Sequence, residues 1–193
     1  MKFIFTILSI ILFFQINISY ADDISSFKIE GINVKSSLLD SFSIKEIKKS
    51  IKKTELDEDK YIRAYFKNKN FKVFDVVEVF FLKNDLNYIV HSVRGSNFIN
   101  NIEDCYLEQN IISADVEKLF DSYEKEIVGP EKHWFDKSNK SIVKNIVFWM
   151  EDDSLISSEC VSWSSEMKQN YNFGDTFSLD IRTSQYNSWY NNL

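Results

Sequence analysis

Residues 74–82, FDVVEVFFL, read as one strand that is apolar on both faces: Phe74, Val76, Phe80 and Leu82 alternate with Val77, Val79 and Phe81. Successive side chains of a strand point to opposite sides of its sheet. A chain with such a strand must cover its sheet on both sides or leave an apolar face open to a partner. Residues 155–163 pose the same problem, with Ile156, Ser158 and Cys160 on one side and Leu155, Val161 and Trp163 on the other.

The first of these strands is predicted to start at residue 71, and further strands at 27–34, 61–67, 86–94, 131–136, 141–150 and 175–183, from alternating or β-branched runs bounded by turn-forming residues. Gly31 reads as a bulge in 27–34, and Gly95 as the stop after 86–94. Between the first two strands lie two helical segments spanning about residues 36–53. Ser36 or Ser37 caps the first, and Ser43 with Glu46 three residues later forms a capping box for the second.

The longest helical pattern spans about residues 101–127, where Cys105, Ile112, Val116, Leu119 and Tyr123 keep helical spacing and Gly129-Pro130 ends the run. The order is strand, helices, three strands, long helix, four strands, and the connections are short. That order predicts an α+β fold, with helices packed on a largely antiparallel sheet of about six to eight strands. No linker composition or internal repeat divides the chain, so residues 22–193 are expected to form one domain.

Residues 1–21 read as a Sec-type signal peptide: Lys2, a predominantly apolar run over 3–14, then Ser19-Tyr20-Ala21 as the cleavage site. The run is shorter than the roughly 20 residues a spanning helix needs. A periplasmic or secreted bacterial protein is expected. Losing Lys2 with the signal takes the formal charge from −6 to −7. That acidity excludes a phosphate backbone as partner, because nucleic-acid binding needs a cationic surface.

Cys105 and Cys160 are the only two thiols, and in an exported chain they are expected to form a disulfide. A zinc site with His91 and His133 is the competing reading, but neither C-x-x-C nor H-x-x-x-H spacing is present. No metal and no cofactor are expected.

The chemistry-bearing motifs are sparse. The four glycines, Gly31, Gly95, Gly129 and Gly174, are too scattered to cradle phosphates, and no P-loop, dinucleotide or G-x-S-x-G pattern occurs. His91 lies within a strand, where a structural imidazole is expected. His133 lies in EKHWFD, where Glu131 and Asp136 could orient it as a base. The acidic runs ELDEDK and EDDS lack the calcium-loop pattern and read as solvated turns.

Three features remain as binding candidates. One is the lysine face of the 43–53 helix, with Lys45, Lys48, Lys49, Lys52 and Lys53 around the stripe Ile44, Ile47 and Ile51. That stripe carries no aromatic anchor, so a solvated helix face is the favoured reading over membrane contact. The second is the sheet face left over by the two-sided strands, including Trp163. The third is the tail SQYNSWYNNL, whose Tyr186, Trp189 and Tyr190 suit amphipathic contact in a chain with 16% aromatic residues.

Ile29-Glu30-Gly31-Ile32, Ser37-Leu38-Leu39-Asp40, Phe42-Ser43 and Glu46-Ile47 together resemble the start of a group of small, uncharacterised exported proteins of Pelagibacter-type marine alphaproteobacteria. Members of that group also carry one cysteine near a long helix and another in a late strand, matched by Cys105 and Cys160. The resemblance implies a periplasmic setting and carries over no catalytic residue.

The function expected from the sequence is therefore a non-enzymatic secreted or periplasmic binding protein, serving in envelope upkeep. Its partner would be a protein or small ligand, with a membrane surface less favoured. The alternative is a small periplasmic hydrolase that pairs His91 or His133 with a carboxylate.

Overall fold

The computed structural model describes residues 23–52, 60–68 and 70–192, so the signal-peptide assignment lies outside the described residues, as does Lys53. The fold is α+β. One eight-stranded antiparallel sheet contains β1 (Ile51–Lys52), β2 (Tyr61–Phe66), β3 (Val76–Leu82), β4 (Val90–Phe98), β5 (Glu124–Lys132), β6 (Ile142–Trp149), β7 (Leu155–Ser162) and β8 (Thr176–Arg182). The strand order is β1-β2-β3-β4-β8-β7-β6-β5. Two four-stranded meanders thus meet where β4 pairs antiparallel with β8.

A helix precedes each meander: α1 (Ile44–Ser50) leads into β1, and α2 (Ile102–Leu119) precedes β5. Two further helices, α3 (Ser165–Tyr171) and α4 (Ser184–Tyr190), flank β8. The sequence shows no repeat, yet the topology is a helix plus four strands used twice.

One face of the sheet carries the main core. Val77, Val79 and Phe81 of β3, Val93 of β4, Cys160 of β7 and Leu179 of β8 pack there with Ile24, Ile29, Val34, Leu38 and Ile47 from the N-terminal segment and with Cys105 and Val116 of α2. Cys105 and Cys160 are bonded, with Cα atoms 5.9 Å apart, and tie α2 to β7. Ile156, Ser158 and Cys160 face α2 as expected, and the buried Gln109 of α2 donates to the Ser158 carbonyl at 3.0 Å.

Seven local expectations are corrected. The strand expected at 131–136 stops at Lys132, where a loop begins, and the one expected from residue 86 starts at Val90. Residues 27–34 form no strand: Ile29 and Ile32 exchange N–H···O bonds at 2.9 Å around Glu30-Gly31, both at positive φ. That is the mirror-image turn that glycine permits, and it folds the alternating apolar residues back onto the core. The Glu30 carboxylate then accepts the N–H groups of Lys72, Val73 and Phe74. Those donors are lost to the ladder, so β3 starts at Val76 rather than residue 71.

The second helix stops at Ser50, because Ile51 enters the sheet opposite Ala64. β4 runs through Gly95 to Phe98 instead of ending at Gly95.

The long helix ends at Leu119 rather than residue 127, and Glu124–Lys132 is the edge strand β5. Leu119, Tyr123 and Ile127 are four residues apart, a spacing that fits a helix face and, being even, a strand face equally. Phe120 decides between them by leaving the helix in an extended conformation and burying its ring in the core. The exposed charges of β5 and its bulge between Val128 and Glu131 blunt this edge against pairing with another chain.

Candidate binding surface

The eight residues expected to bind do not converge on one surface. Lys45, Lys48 and Lys49 project from α1 into solvent while Ile47 is fully buried beneath them. Lys52 lies in β1. Tyr186 is only 3% exposed: with Trp189 it packs on Tyr61, ring centroids 5.0 and 4.9 Å away, and on Phe80 at 5.1 Å. The aromatic tail, as α4, is therefore itself a cover for the second sheet face. Tyr190 is exposed at its rim, with the Arg182 guanidinium 4.5 Å from the ring centroid. Trp163 lies at the other end of β7 from the strand end facing α4.

The middle of that second face is ionic, which corrects its reading as an apolar surface. Arg63 pairs with Glu78 at 2.9 Å, and Asp180 receives Arg94 at 3.1 Å and Arg182 at 2.7 Å, with the Ser92 hydroxyl donating at 3.0 Å. Burial alone would raise the Asp180 carboxyl, but the two guanidiniums outweigh it and hold the group below the usual carboxylate range. Burial would likewise lower Arg94, and Asp180, Glu159 and Glu78 reverse it, so the guanidinium is held charged more strongly than usual. These two ionic groups lie across β2, β3, β4 and β8, with Arg63 Nε left without a partner among the described residues.

The open apolar surface lies at one end of the sheet. Lys132 pairs with Ile142, so the 133–141 loop leaves from that end; Phe98 pairs there with Thr176, next to the 171–175 loop. Trp134 is 80% exposed, Phe98 58%, Tyr171 56% and Val73 61%. Ring contacts connect them: Trp134 to Phe135 at 5.6 Å, Phe135 to Tyr171 at 5.9 Å, and Trp163 to Phe173 at 4.7 Å. The Phe98 ring lies against Gly174, and the Asn97 side chain donates to the Val73 carbonyl, which places Val73 at the same end of the sheet.

Two carboxylates hold the loops that carry these rings. Asp136 is buried and accepts from Ser138 N at 2.8 Å, from Ser141 N at 2.9 Å and from the Ser141 hydroxyl at 2.7 Å; the Ser141 oxygen accepts Ser164 N in turn. The Ser141 hydrogen bond is the main reason its carboxyl titrates far below the usual range. Asp175 accepts Trp163 N at 2.7 Å and the Lys168 ammonium at 2.8 Å. The patch is thus pre-organised rather than assembled on contact.

His133 Nδ1 accepts Phe135 N at 3.2 Å, and His91 Nδ1 lies 3.4 Å from the Thr183 hydroxyl, which also caps α4. Among the described residues no hydrogen bond joins either imidazole to a serine hydroxyl or a carboxylate. Burial holds both imidazoles below their ordinary pKa, against the opposing pull of Asp85 on His91 and of Glu159 and Asp136 on His133.

Of the binding candidates read from the sequence, only Trp163 belongs to the aromatic end, together with His133 and Asp136, the candidate base and its partner. Trp134, Phe135 and Val73 read as strand residues, and Tyr171 and Phe98 carried no signal. The cue was local: three successive aromatic rings, His133, Trp134 and Phe135, stand between Lys132 and Asp136 where a turn was needed. Comparison of the chain with protein-family models, with characterised proteins and with solved structures finds no match.

Proposed function

We propose that this chain is an exported, non-enzymatic binding protein that docks a partner protein through the aromatic end of its sheet. The observation that carries the reading is the contiguous patch from Trp134 through Phe135 and Tyr171 to Phe98, exposed yet held in place by buried Asp136. Large rings in a rigid setting are what protein interfaces use as anchors. The rim is of mixed sign, with exposed Lys132, Lys137 and Lys140 beside exposed Glu131 and Glu166. A polar rim of both signs suits a protein surface, whereas an anionic lipid surface would be matched by basic residues alone.

The buried disulfide supports an oxidising compartment, which is where the N-terminal signal would send the chain. Among the described residues no helix is long and apolar enough to cross a membrane. Membership of the Pelagibacter-type exported group is part of the same proposal. A photo-crosslinking amino acid at Trp134 and, as control, at exposed Leu107 of α2 tests it in the producing cell. One discrete protein adduct at 134 and none at 107 supports the reading. Absence of an adduct at 134, or lipid adducts there, overturns it.

A further inference from the structure

We propose a second site at the opposite end of the sheet: a groove around the β6–β7 turn that binds a non-acidic oligosaccharide. It stands independently of the docking surface, since it uses none of the same residues. Three cavities adjoin there through shared walls. One of about 600 Å³ lies between α4 and the turn, and is lined by Trp149, Asp152, Asp153, Gln185, Asn187 and Asn191 among others. A second, of about 450 Å³, shares Trp149 and Asp153 and continues past Tyr123 and Glu124. A third, of about 440 Å³, shares Ser122, Met150 and Glu151 with the second and ends at Asp23 and Lys35. All three are open depressions, and their shared walls place them in a row as a shallow surface groove suited to a chain of linked units.

The lining selects the chemistry. The first cavity joins amides, hydroxyls and carboxylates to a single indole. Side-chain amides and carboxylates bond vicinal hydroxyls, while an indole face takes the C–H face of a sugar ring. Trp149 is half-buried, and its Nε1 donates to Glu126 at 3.2 Å, which fixes the plane of the ring at the junction of two cavities. Asn187 is the independent sign of a ligand. It is 5% exposed and lines the first cavity, yet its Oδ1 has no hydrogen-bond partner among the described residues, and its Nδ2 reaches only the Asp153 carbonyl at 3.4 Å. Buried polar atoms are nearly always bonded, and this one has almost no accessible surface of its own, so a ligand hydroxyl would pair with it once the Asn187 amide turns toward the cavity.

Charge narrows the class further. Asp121, Glu124, Glu151, Asp152 and Asp153 line the groove, against Lys35, whose ammonium is already bonded to Asp23 at 2.9 Å. Uronic acids and phosphorylated or sulfated sugars are repelled. Neutral and amino sugars are accepted, amino sugars with a salt-dependent advantage.

The test is isothermal titration of the mature protein with the β-1,4-linked tetramers of N-acetylglucosamine and glucosamine, and with tetragalacturonate and tetralysine. We expect both hexosamine tetramers to bind, the second more tightly at low salt, and tetragalacturonate not to bind. Trp149→Ala should weaken binding at least about tenfold. Because that change also removes packing from β6, Gln185→Ala with Asn191→Ala is the second variant: both residues are exposed, so the melting temperature should hold while affinity falls at least about threefold. The proposal is overturned if neither hexosamine tetramer binds at millimolar concentration, if neither variant alters affinity, or if tetralysine binds more tightly than both sugars.

Discussion

The Phe74 ring occupies the space in which a side chain at Gly95 would begin: a Cβ built on Gly95 would lie 2.5 Å from Phe74 Cγ and within 2.7 Å of both Cδ atoms. Glycine at 95 is therefore a packing requirement of the β3–β4 pair, where it sits opposite Val77, and not the end of a strand. Gly95→Ala should destabilise the protein by about 1–3 kcal/mol, as overpacking of a filled core does. A urea midpoint equal to that of the parent would show that the ring can move aside freely.

The Cys105–Cys160 bond closes a loop of 55 residues that spans α2 and three strands. In the chain-entropy account such a loop contributes about 4 kcal/mol by restricting the unfolded chain. We expect the Cys105→Ala, Cys160→Ala double variant to lose a stabilisation of that order in guanidinium unfolding. The parent should lose the same amount once reduced, which separates the crosslink from the side chains.

Acid should unfold the protein in two stages. His91 and His133 have depressed folded pKa values, so their contribution is present above the unfolded value of about 6.5 and declines as pH falls through it. Asp180, Asp136 and Glu30 are depressed as well, so theirs is present above about pH 4 and is lost below it. Stability measured by denaturant midpoint should slope gently from pH 7 to 5 and steeply below 4. Asp180→Asn should flatten the lower limb. At pH 7 it should also cost about 3–5 kcal/mol, since Arg94 and Arg182 are left facing each other with no carboxylate. An unchanged lower limb would mean that Asp180 is not ionised in the fold.

On α1 the two sides should respond oppositely. Ile47 is 0% exposed in the main core, and Ile47→Ala should cost about 2–4 kcal/mol. Replacing Lys45, Lys48 and Lys49 together by alanine should shift stability by no more than about 0.5 kcal/mol per site. Binding of the triple variant to anionic vesicles should equal that of the parent; a salt-sensitive loss would instead assign the lysines a membrane role.

For the last three strands of the second meander the local pattern was enough. β6, β7 and β8 begin and end within a residue or two of their sequence reading, and the Ser43–Glu46 capping box forms as written. The failures share a cause. Residues 27–34 and 119–127 carry spacings that two structures satisfy equally, and contacts distant in sequence chose between them: the Glu30 carboxylate on residues 72–74 in the first case, the burial of Phe120 and pairing with β6 in the second. The aromatic end was hidden for a similar reason. Phe98, Trp134 and Tyr171 come from a strand end, a loop and a helix end far apart in the chain, and nothing local marks them as neighbours.

The sequence by itself determined the fold class, the pairing of its two cysteines and the absence of phosphate-binding motifs, because each follows from spacing or from residue type alone; of the apolar stripe read on α1 only Ile47 is buried, and Ile44 is 51% exposed. Tertiary structure decided the rest. It paired β4 with β8, turned the C-terminal aromatics into a cover instead of a surface, filled the middle of the second face with ion pairs from four strands, and gathered the exposed rings at one end. Each of those depends on which strand lies beside which, and that order is set by the summed burial of the whole core, a quantity no short window of residues contains.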